Sequence, residues 1–432
     1  MKINLNFPSS FQIALLLSLI VYVLAVGFTL PTNESIFLYS FQVLKFWKSG
    51  FWELLEFTLQ MILILVFGHT LAMSQPVDNF LDKVAFYVKT NTHAVLFTGG
   101  VSMAGGYLNW GFGLILGAVL ARKIGEIATE KRLAVNYPLV AASGYLGMLV
   151  WHGGLSGSST LKVAEENHFL MDKIGVVTIN KTIFSDFNIW TNVVLILCLI
   201  LLLLFLSKKP IDKQVEVTKN RSTKVVNESK DKLGYLIGLI ILALSVSEFS
   251  KVYEEGWGFL DLNFVNFILL GLGLLAFGSL SRYVSSLSEA VRGATDILIQ
   301  FPFYAGILGI MKYSGLLVLI ADGIVQHSGP GSFPLFSFFS AAIINFFVPS
   351  GGGQWAIQGP VIVEAANQMN ISVPNMIIAF AYGDQVSNML QPFWALPLLA
   401  ITGLSAKSLL GYTFYFFLIA LLIFGISIWL FV

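Results

Sequence analysis

Long uninterrupted apolar runs constrain this chain more than any other feature of its sequence. The segments 11–30 and 409–431, for example, contain no charged side chain. A helix needs about 20 apolar residues to cross the hydrocarbon core of a bilayer. Only 11% of the residues are charged and 56% are hydrophobic, which is too little charge to solvate the surface of a soluble protein of this size. The chain is therefore predicted to be an all-α, polytopic membrane protein.

Apolar length also predicts how many times the chain crosses the membrane. The predicted crossings are 11–30, 55–73, 137–155, 187–206, 233–250, 262–281, 295–311, 375–404 and 409–431. Two further apolar stretches, 94–121 and 333–368, are interrupted in the middle by Asn, Gly, Ser or Pro. Non-helical backbone at membrane depth needs protein or a polar cavity around it. Both stretches are therefore predicted to be re-entrant hairpins, although a spanning helix stays open for 94–121.

The polar and basic residues divide the chain in two. Most Lys and Arg fall in segments on one side of this layout, which the positive-inside rule assigns to the cytoplasm. The long polar stretch 207–232 has no apolar period and is predicted to be a cytoplasmic linker. It separates a first repeat, 1–206, from a second part, 233–432, which holds a connecting span and an inverted repeat.

Polar anchors recur in the two halves at nearly the same separation. The pairs are Gln60 with Gln300, Asn109 with Asn345, and Tyr145 with Tyr382. An amphipathic segment precedes each hairpin, at 76–90 and 314–326, and suits a helix that lies in the membrane interface. Inverted repeats with broken helices and a site near the midplane are the plan of many secondary transporters. The predicted fold is therefore an inverted-repeat transporter with two re-entrant hairpins and broken helices.

Polar residues within the apolar stretches gather at the two hairpin tips and at the helix breaks that follow them. Glycine-rich breaks expose backbone N–H groups at new helix starts, and these groups attract a carboxylate. Neutral Ser, Asn and Gln side chains add further hydrogen-bond donors. The predicted substrate-binding residues are Asn109, Ser156, Ser158, Asn345, Ser350, Gly351, Gly352, Gln354, Asn388 and Gln391. No Lys or Arg lies clearly within a predicted membrane core, which favours a small monoanion over a dicarboxylate or phosphate.

Asp384 and His152 are the predicted ion-coupling residues, because an ionisable group inside a membrane helix is costly and tends to face a cavity. A purely structural role as a helix cap stays open for Asp384. Trp355 and Trp394 are candidates for an apolar wall beside the site. The chain contains no CxxC, HExxH or Walker motif, so no metal or cofactor is expected. Its net charge of +1 gives no large basic face for nucleic acid.

Several of the glycine-rich and polar segments are long and specific. They are NWGFGLILGA from Asn109, GGLSGS from Gly153, QFPFYAGI from Gln300, INFFVPSGGGQWAIQGP from Ile344 and AYGDQVSNMLQPFWALP from Ala381. Together these segments resemble the bacterial short-chain fatty acid transporter family nearly end to end, with 207–232 the least alike. The family pattern carries Glu where this chain has Asp384, so the charge is kept and the reach is shorter by one methylene.

The resemblance implies uptake of short-chain fatty acids, such as acetoacetate or butyrate, across the bacterial inner membrane. It also implies kinship with ion transporters built from inverted repeats and paired hairpins. The expected partners are short-chain monocarboxylates, a proton or Na⁺ as coupling ion, and the lipid bilayer; a homodimer stays open. The alternatives are a channel for small solutes and an intramembrane hydrolase built on Ser156 and His152. The hydrolase lacks a matching acid and oxyanion site in the sequence.

Overall fold

The computed structural model describes residues 10–86, 88–166, 168–211, 217, 232–251, 262–292 and 294–432. Throughout these residues the regular secondary structure is helical. The α-helices before residue 208 are α1 (Ser10–Phe28), α2 (Ile36–Gly50), α3 (Leu55–Ala72), α4 (Gln75–Phe86), α5 (Asn91–Leu108), α6 (Trp110–Glu130), α7 (Tyr137–Ser143), α8 (Ser158–Lys162), α9 (Met171–Ile174) and α10 (Asp186–Ser207).

The remaining described helices follow the predicted linker, most of which lies outside the described residues. They are α11 (Lys232–Ser247), α12 (Leu262–Phe277), α13 (Leu280–Arg292), α14 (Thr295–Tyr313), α15 (Leu316–Gln326), α16 (Phe333–Asn345), α17 (Gly351–Gln368), α18 (Val373–Ser387), α19 (Pro392–Thr402) and α20 (Ala406–Phe431). The all-α class predicted from the sequence is confirmed. Helices α4 and α15 coincide with the two predicted amphipathic segments.

Five stretches of described helix are long and apolar enough to cross a membrane: α1, α3, α10, α20, and α11 with the short 3₁₀ turn that follows it. A sixth results if α13 and α14, which meet at a bend of 51°, form one span. On α10, Leu195, Leu199 and Leu203 are fully buried, whereas Leu201 and Phe205 are each 63% exposed. Large apolar side chains on an outer face are expected where lipid rather than water surrounds the helix. The prediction of a multi-pass membrane protein is thus supported.

Three predicted crossings differ from the continuous helices that the sequence suggested. In 137–155, α7 ends at Ser143 and is followed by a 3₁₀ turn, Leu146–Leu149, and then by irregular backbone. The crossing 375–404 is divided between α18 and α19 because Pro392 has no N–H with which to continue the preceding helix. In 262–281, α12 ends at Phe277, directly before Gly278, whose φ of +57° suits glycine.

Helices α2 and α13 were missed by the sequence analysis. Both are amphipathic, so neither forms the continuous apolar run that was sought. Helices α1 and α2 pack on α14 of the second half, while α12 and α13 pack on α3 of the first half. The α2–α14 contact is backbone to backbone, since a Cβ on Gly50 would lie 2.4 Å from the Cα of Gly309. The two halves of the chain are therefore interleaved.

The predicted hairpin segments are each occupied by a pair of helices. Helices α5 and α6 are separated by one residue, Asn109, and pack on each other so closely that a Cβ on Gly113 would meet the backbone of Gly106. Helices α16 and α17 are separated by residues 346–350 and are tied by the side chain of Gln354, whose Nε2 donates to the carbonyl of Ala341 at 2.9 Å. The re-entrant position of both pairs in the bilayer stays a prediction.

Lys123 is a buried cation on α6, just after the first predicted hairpin segment. Its side chain is 5% exposed. Its ammonium bonds the carboxylate of Asp78 on α4. This ion pair fastens the amphipathic helix α4 to the first hairpin.

Candidate functional site

The helix breaks of the two halves meet at His152 and Asp384. His152 lies in the irregular backbone after α7, and Asp384 lies in the last turn of α18. Imidazole Nδ1 is 3.1 Å from carboxylate Oδ2, and the two side chains are 0% and 2% exposed. The alignment of Nδ1 and Oδ2 falls short of hydrogen-bond geometry. Both ring nitrogens of His152 and Oδ1 of Asp384 lack a hydrogen-bond partner among the described residues. The two predicted ion-coupling residues are thus in direct contact.

The position of His152 is set by contacts on two sides. Its backbone N–H donates to Oε1 of Gln385 at 3.0 Å, which ties the first break to α18. The indole of Trp151 stacks on its ring, with centroids 4.1 Å apart and planes 9° from parallel. The orientation of the imidazole is therefore held by backbone and by stacking, which leaves its nitrogens available for a ligand or a proton.

Asn345, at the end of α16, connects the second hairpin to the break after α18. Its Nδ2 lies 2.6 Å from the carbonyl oxygen of Asp384, 2.9 Å from Ser387 Oγ and 2.7 Å from Asn388 Oδ1. In return, Gln391 Nε2 donates to the carbonyl of Asn345 at 3.0 Å. Three of the predicted substrate-binding residues are therefore brought together around one amide.

The N-terminus of α17 closes against the His152–Asp384 pair. Ser350 caps this helix, since its Oγ accepts a hydrogen bond from Gly353 N–H at 3.2 Å. A Cβ on Gly351 would lie 3.0 Å from His152 Cε1, 3.2 Å from His152 Nε2 and 3.3 Å from Asp384 Oδ2. A side chain at position 351 would not fit unless His152 or Asp384 moved. The backbone at the start of α17 therefore directly faces these two ionisable groups.

Two further predicted residues extend the same tip. Gly352 is exposed, and a Cβ on it would lie 3.9 Å from the Cβ of Ser158, which begins α8. The start of α8 therefore faces the start of α17. Gln354 points the other way: its Nε2 binds the carbonyl of Ala341 and, at 3.0 Å, Oε1 of Gln358. Gln354 thus holds the second hairpin together, and its buried Oε1 is left without a described partner.

The first hairpin tip is organised around the start of α6. Asn109 Oδ1 accepts a hydrogen bond from Phe112 N–H, and Ser156 Oγ accepts one from Trp110 N–H, both at 3.0 Å. Ser156 therefore bonds α6 rather than His152, which does not match the nucleophile and base of a hydrolase. The structure brings Asn109 and Ser156 together as a second set, linked to His152 through the irregular backbone 152–157.

Trp110 packs on two other tryptophans beside the helix breaks, at 6.1 Å from Trp151 and 5.2 Å from Trp394, measured between ring centroids. These three residues form an aromatic wall to which both halves contribute. Of the two predicted wall residues, Trp394 belongs to it. Trp355 does not, because it is fully buried against Phe380 in a separate apolar cluster. Trp151 was missed, although its place beside His152 was a usable signal.

Asn188, at the start of α10, is another residue that sequence reasoning missed. Its Nδ2 donates to the carbonyl of Gly153 at 2.8 Å, and its Oδ1 accepts a hydrogen bond from the hydroxyl of Tyr382 at 2.8 Å. The hydroxyl of Tyr145 donates to the carbonyl of Asn388 at 3.0 Å. Of the two tyrosines singled out as repeat anchors, Tyr145 therefore binds the second break and Tyr382 binds Asn188. An Asn near the start of an apolar helix gave no signal in the sequence.

The site combines buried donors and acceptors that the described protein leaves unused. The atoms are His152 Nδ1 and Nε2, Asn345 Oδ1, Gln354 Oε1, Asp384 Oδ1, Gln385 Nε2, Asn388 Nδ2 and Gln391 Oε1. Each unsatisfied buried polar group costs about 1–3 kcal/mol, so these atoms are candidates to bind a small polar solute, an ion or water. No group of three or more His, Cys, Asp or Glu that could hold a metal occurs within the described residues.

Two solved transporter structures align with nearly the whole chain at low sequence identity. The crystal structure of the YdaH transporter of Alcanivorax borkumensis, described as having an unusual topology, aligns with a TM-score of 0.46 and 14% identity over 98% of both chains. The structure of Neisseria gonorrhoeae MtrF, described as one of a class of antimetabolite efflux pumps, gives a TM-score of 0.43 and 13% identity over 99% of this chain and 96% of that one.

Sequence relatives are much more similar. An Escherichia coli (strain K12) protein is 36% identical over 98% of this chain and 96% of its own length, and a Haemophilus influenzae protein is 34% identical over 94% and 92%. Both carry the name "Putative short-chain fatty acid transporter". The model of the family described as short chain fatty acid transporter matches residues 1–431. The chain therefore belongs to the short-chain fatty acid transporter family.

Proposed function

We propose that this chain is a secondary transporter that takes up short-chain monocarboxylates, such as acetoacetate or butyrate, across the bacterial inner membrane. Uptake is coupled to a proton or Na⁺ through Asp384 and His152. Membership of the family and the names of the two relatives support the substrate class. The observation that carries the proposal is the group of unused, buried polar atoms at the point where the breaks of both halves meet.

A carboxylate suits this site because the donors that face it are neutral or belong to a helix start. The N-terminus of α17 provides N–H groups and the positive end of a helix dipole. Ser156 and Ser350 accept their recorded hydrogen bonds from backbone N–H groups, so each hydroxyl keeps its own proton to donate. The proposed substrate contacts are Asn109, Ser156, Ser158, Asn345, Ser350, Gly351, Gly352, Asn388 and Gln391. Gln354, although predicted from the sequence, is not among them because its amide binds within its own hairpin. The apolar part of the substrate packs on Trp110, Trp151 and Trp394.

Transport requires that the site open to each side of the membrane in turn. We assign this movement to the two hairpins with their following broken helices, which move against α1–α3 and α11–α14 as inverted repeats. The close backbone contacts between α6 and the break after α7 make the first moving unit rigid, since a Cβ on Gly117 would lie 2.0 Å from the carbonyl oxygen of Gly144.

Uptake into proteoliposomes tests this function. Short-chain acids also cross lipid without a carrier in their neutral form, so the assay measures the exchange of labelled butyrate or acetoacetate against internal unlabelled substrate, with protein-free vesicles as the control for this background. We expect saturable exchange that other short-chain acids inhibit. Exchange no faster than in protein-free vesicles would contradict the proposal. Imposed pH and Na⁺ gradients, applied separately, then distinguish coupled transport from the channel alternative, which equilibrates the substrate without concentrating it. The quantity compared is the initial rate of uptake above that of protein-free vesicles under the same gradient.

A further inference from the structure

We infer that His152 and Asp384 form one shared proton site, and that its proton is taken up together with a substrate carboxylate bound at the N-terminus of α17. This inference rests on the proposed function and deepens it by naming the coupling ion and the place where it binds. It is carried by the geometry of three groups: an imidazole, a carboxylate and the glycine tip of a helix.

The first step is the contact between the two ionisable side chains. Nδ1 of His152 and Oδ2 of Asp384 are 3.1 Å apart, and both side chains are shielded from solvent. At that separation the two groups can share one proton, once either side chain turns to align the hydrogen bond. Because one member comes from each half of the chain, a proton on the pair also bridges the two helix breaks.

The second step is the position of the free ring nitrogen. Nε2 of His152 has no hydrogen-bond partner among the described residues and points at Gly351, where a Cβ would lie 3.2 Å from it. Gly351 begins the 18-residue helix α17, whose first N–H groups and dipole favour an anion. A carboxylate at this helix start would therefore receive hydrogen bonds from both the backbone and a protonated imidazole.

The third step is the balance of charge. Among the described residues, three phenols lie on the segments around the pair: Tyr145 binds Asn388, Tyr382 binds Asn188, and Tyr107 lies beside the first break. The charged residues on the same elements pair with each other at exposed positions, Lys162 with Glu165 and Lys173 with Glu364. No described cation therefore contacts the pair to offset a substrate anion.

Uptake of one proton supplies the positive charge that a bound carboxylate needs. An unprotonated pair carries the charge of Asp384, and a bound carboxylate would add a second negative charge to a buried site. One proton converts the pair to an imidazolium and a carboxylate with no net charge, and turns Nε2 into a donor. Proton and substrate then each raise the affinity for the other. Na⁺ fits less well because an imidazole nitrogen occupies one side of Asp384 where this cation needs an oxygen ligand.

Calorimetry of the purified full-length protein in detergent tests the inference directly, since no membrane is present for the neutral acid to cross. Butyrate is titrated at one pH in buffers that differ in ionisation enthalpy, in a choline medium and again in Na⁺. The observed enthalpy should rise linearly with buffer ionisation enthalpy, and the slope gives the number of protons taken up. We expect uptake that approaches one proton per butyrate, without a requirement for Na⁺.

The variants assign the proton to the pair. His152→Gln keeps a hydrogen-bonding side chain but cannot be protonated, and should reduce the slope to near zero, as should Asp384→Asn. His93→Gln, at an exposed position, is the matched control and should keep the wild-type slope. If His152 had only a structural role, His152→Gln would change the affinity for butyrate and leave the slope against buffer ionisation enthalpy at its wild-type value.

Each remaining outcome is decisive. Butyrate binding with zero slope in the wild-type protein overturns the inference and leaves the proposed function standing, as does binding that requires Na⁺ and takes up no proton. A slope that survives in both variants places the proton elsewhere and also overturns it. Absence of any saturable binding of butyrate or acetoacetate removes the proposed function and the inference with it.

Discussion

The imidazole of His152 lies 3.1 Å from the carboxylate of Asp384, and the two residues come from helix breaks in opposite halves of the chain. A movement of either break relative to the other changes this distance. The energy of the contact depends on whether the pair carries a proton, so protonation and the relative position of the two breaks are linked. The following expectations test this relationship and the packing around it.

Asp384→Asn should reduce butyrate accumulation driven by an ion gradient about tenfold or more, while the amount of folded protein in the membrane changes little. The amide keeps the size and part of the hydrogen bonding of the carboxylate but removes its charge. Accumulation in proteoliposomes, normalised to protein content, is the measurement. Asp172→Asn, at an exposed position on α9, is the matched control and should accumulate normally. Normal accumulation in Asp384→Asn would remove this residue from coupling.

Gly351→Ala should weaken substrate binding, whereas Gly411→Ala, at an exposed position of α20, should not. A Cβ on Gly351 would press on His152 and Asp384 at 3.0–3.3 Å, while one on Gly411 would have no neighbour within 4 Å. Overpacking of this kind costs about 1–3 kcal/mol, so we expect the inhibition constant of butyrate in the exchange assay to rise about tenfold in the first variant. Equal constants in the two variants would contradict the placement of the site at this tip.

The long spans were predictable because burial and lipid exposure both favour apolar residues over the whole length of helices such as α1, α10 and α20. Helices α2 and α13 were not, because one apolar face among polar residues leaves no continuous run. The break within 137–155 was hidden for a different reason. Leu146–Leu149 is apolar but forms a 3₁₀ turn, and Gly144 and Gly147 place this segment directly against the backbones of α6 and α5.

At the site, residue types carried more information than spacing. Asn345, Asp384, Asn388 and Gln391 stood out as polar groups inside apolar stretches, and the structure places them within one hydrogen-bonded group. Their contact with His152 was not predictable, because it depends on how two distant breaks pack. For the same reason Gln354, of similar polarity, gave no sign that its amide would bind within its own hairpin.

Gly106→Ala should destabilise the protein much more than Gly100→Ala, although both glycines lie in α5. A Cβ on Gly106 would lie 2.5 Å from the Cα of Gly147, whereas one on Gly100 would have no neighbour within 4 Å. Separation of the hairpin from the following break costs about 1–3 kcal/mol, while Ala at Gly100 should raise helix propensity slightly. Thermal unfolding in detergent is the measurement, and equal melting temperatures would show that the α5 contact does not hold this unit together.

Trp394→Phe should change the preference of the transporter for acyl chain length, and Trp355→Phe should not. The indole of Trp394 packs edge-on to Trp110 within the aromatic wall, whereas Trp355 packs on Phe380 in a separate cluster. Loss of part of the indole beside the site leaves room for a longer acyl chain. A buried methylene contributes about 0.8 kcal/mol, so inhibition by valerate relative to butyrate should improve about threefold in Trp394→Phe.

Trp355→Phe is the control for the loss of a buried indole as such. It should lower the melting temperature, because Trp355 is fully buried, and leave the ratio of the valerate and butyrate inhibition constants at the wild-type value. Competition with labelled butyrate in the exchange assay gives both constants in one experiment. A shift of equal size in the two variants would indicate a general loosening of the fold. No shift in Trp394→Phe would mean that the acyl chain lies against a different surface, and that the wall formed by Trp110, Trp151 and Trp394 serves packing alone.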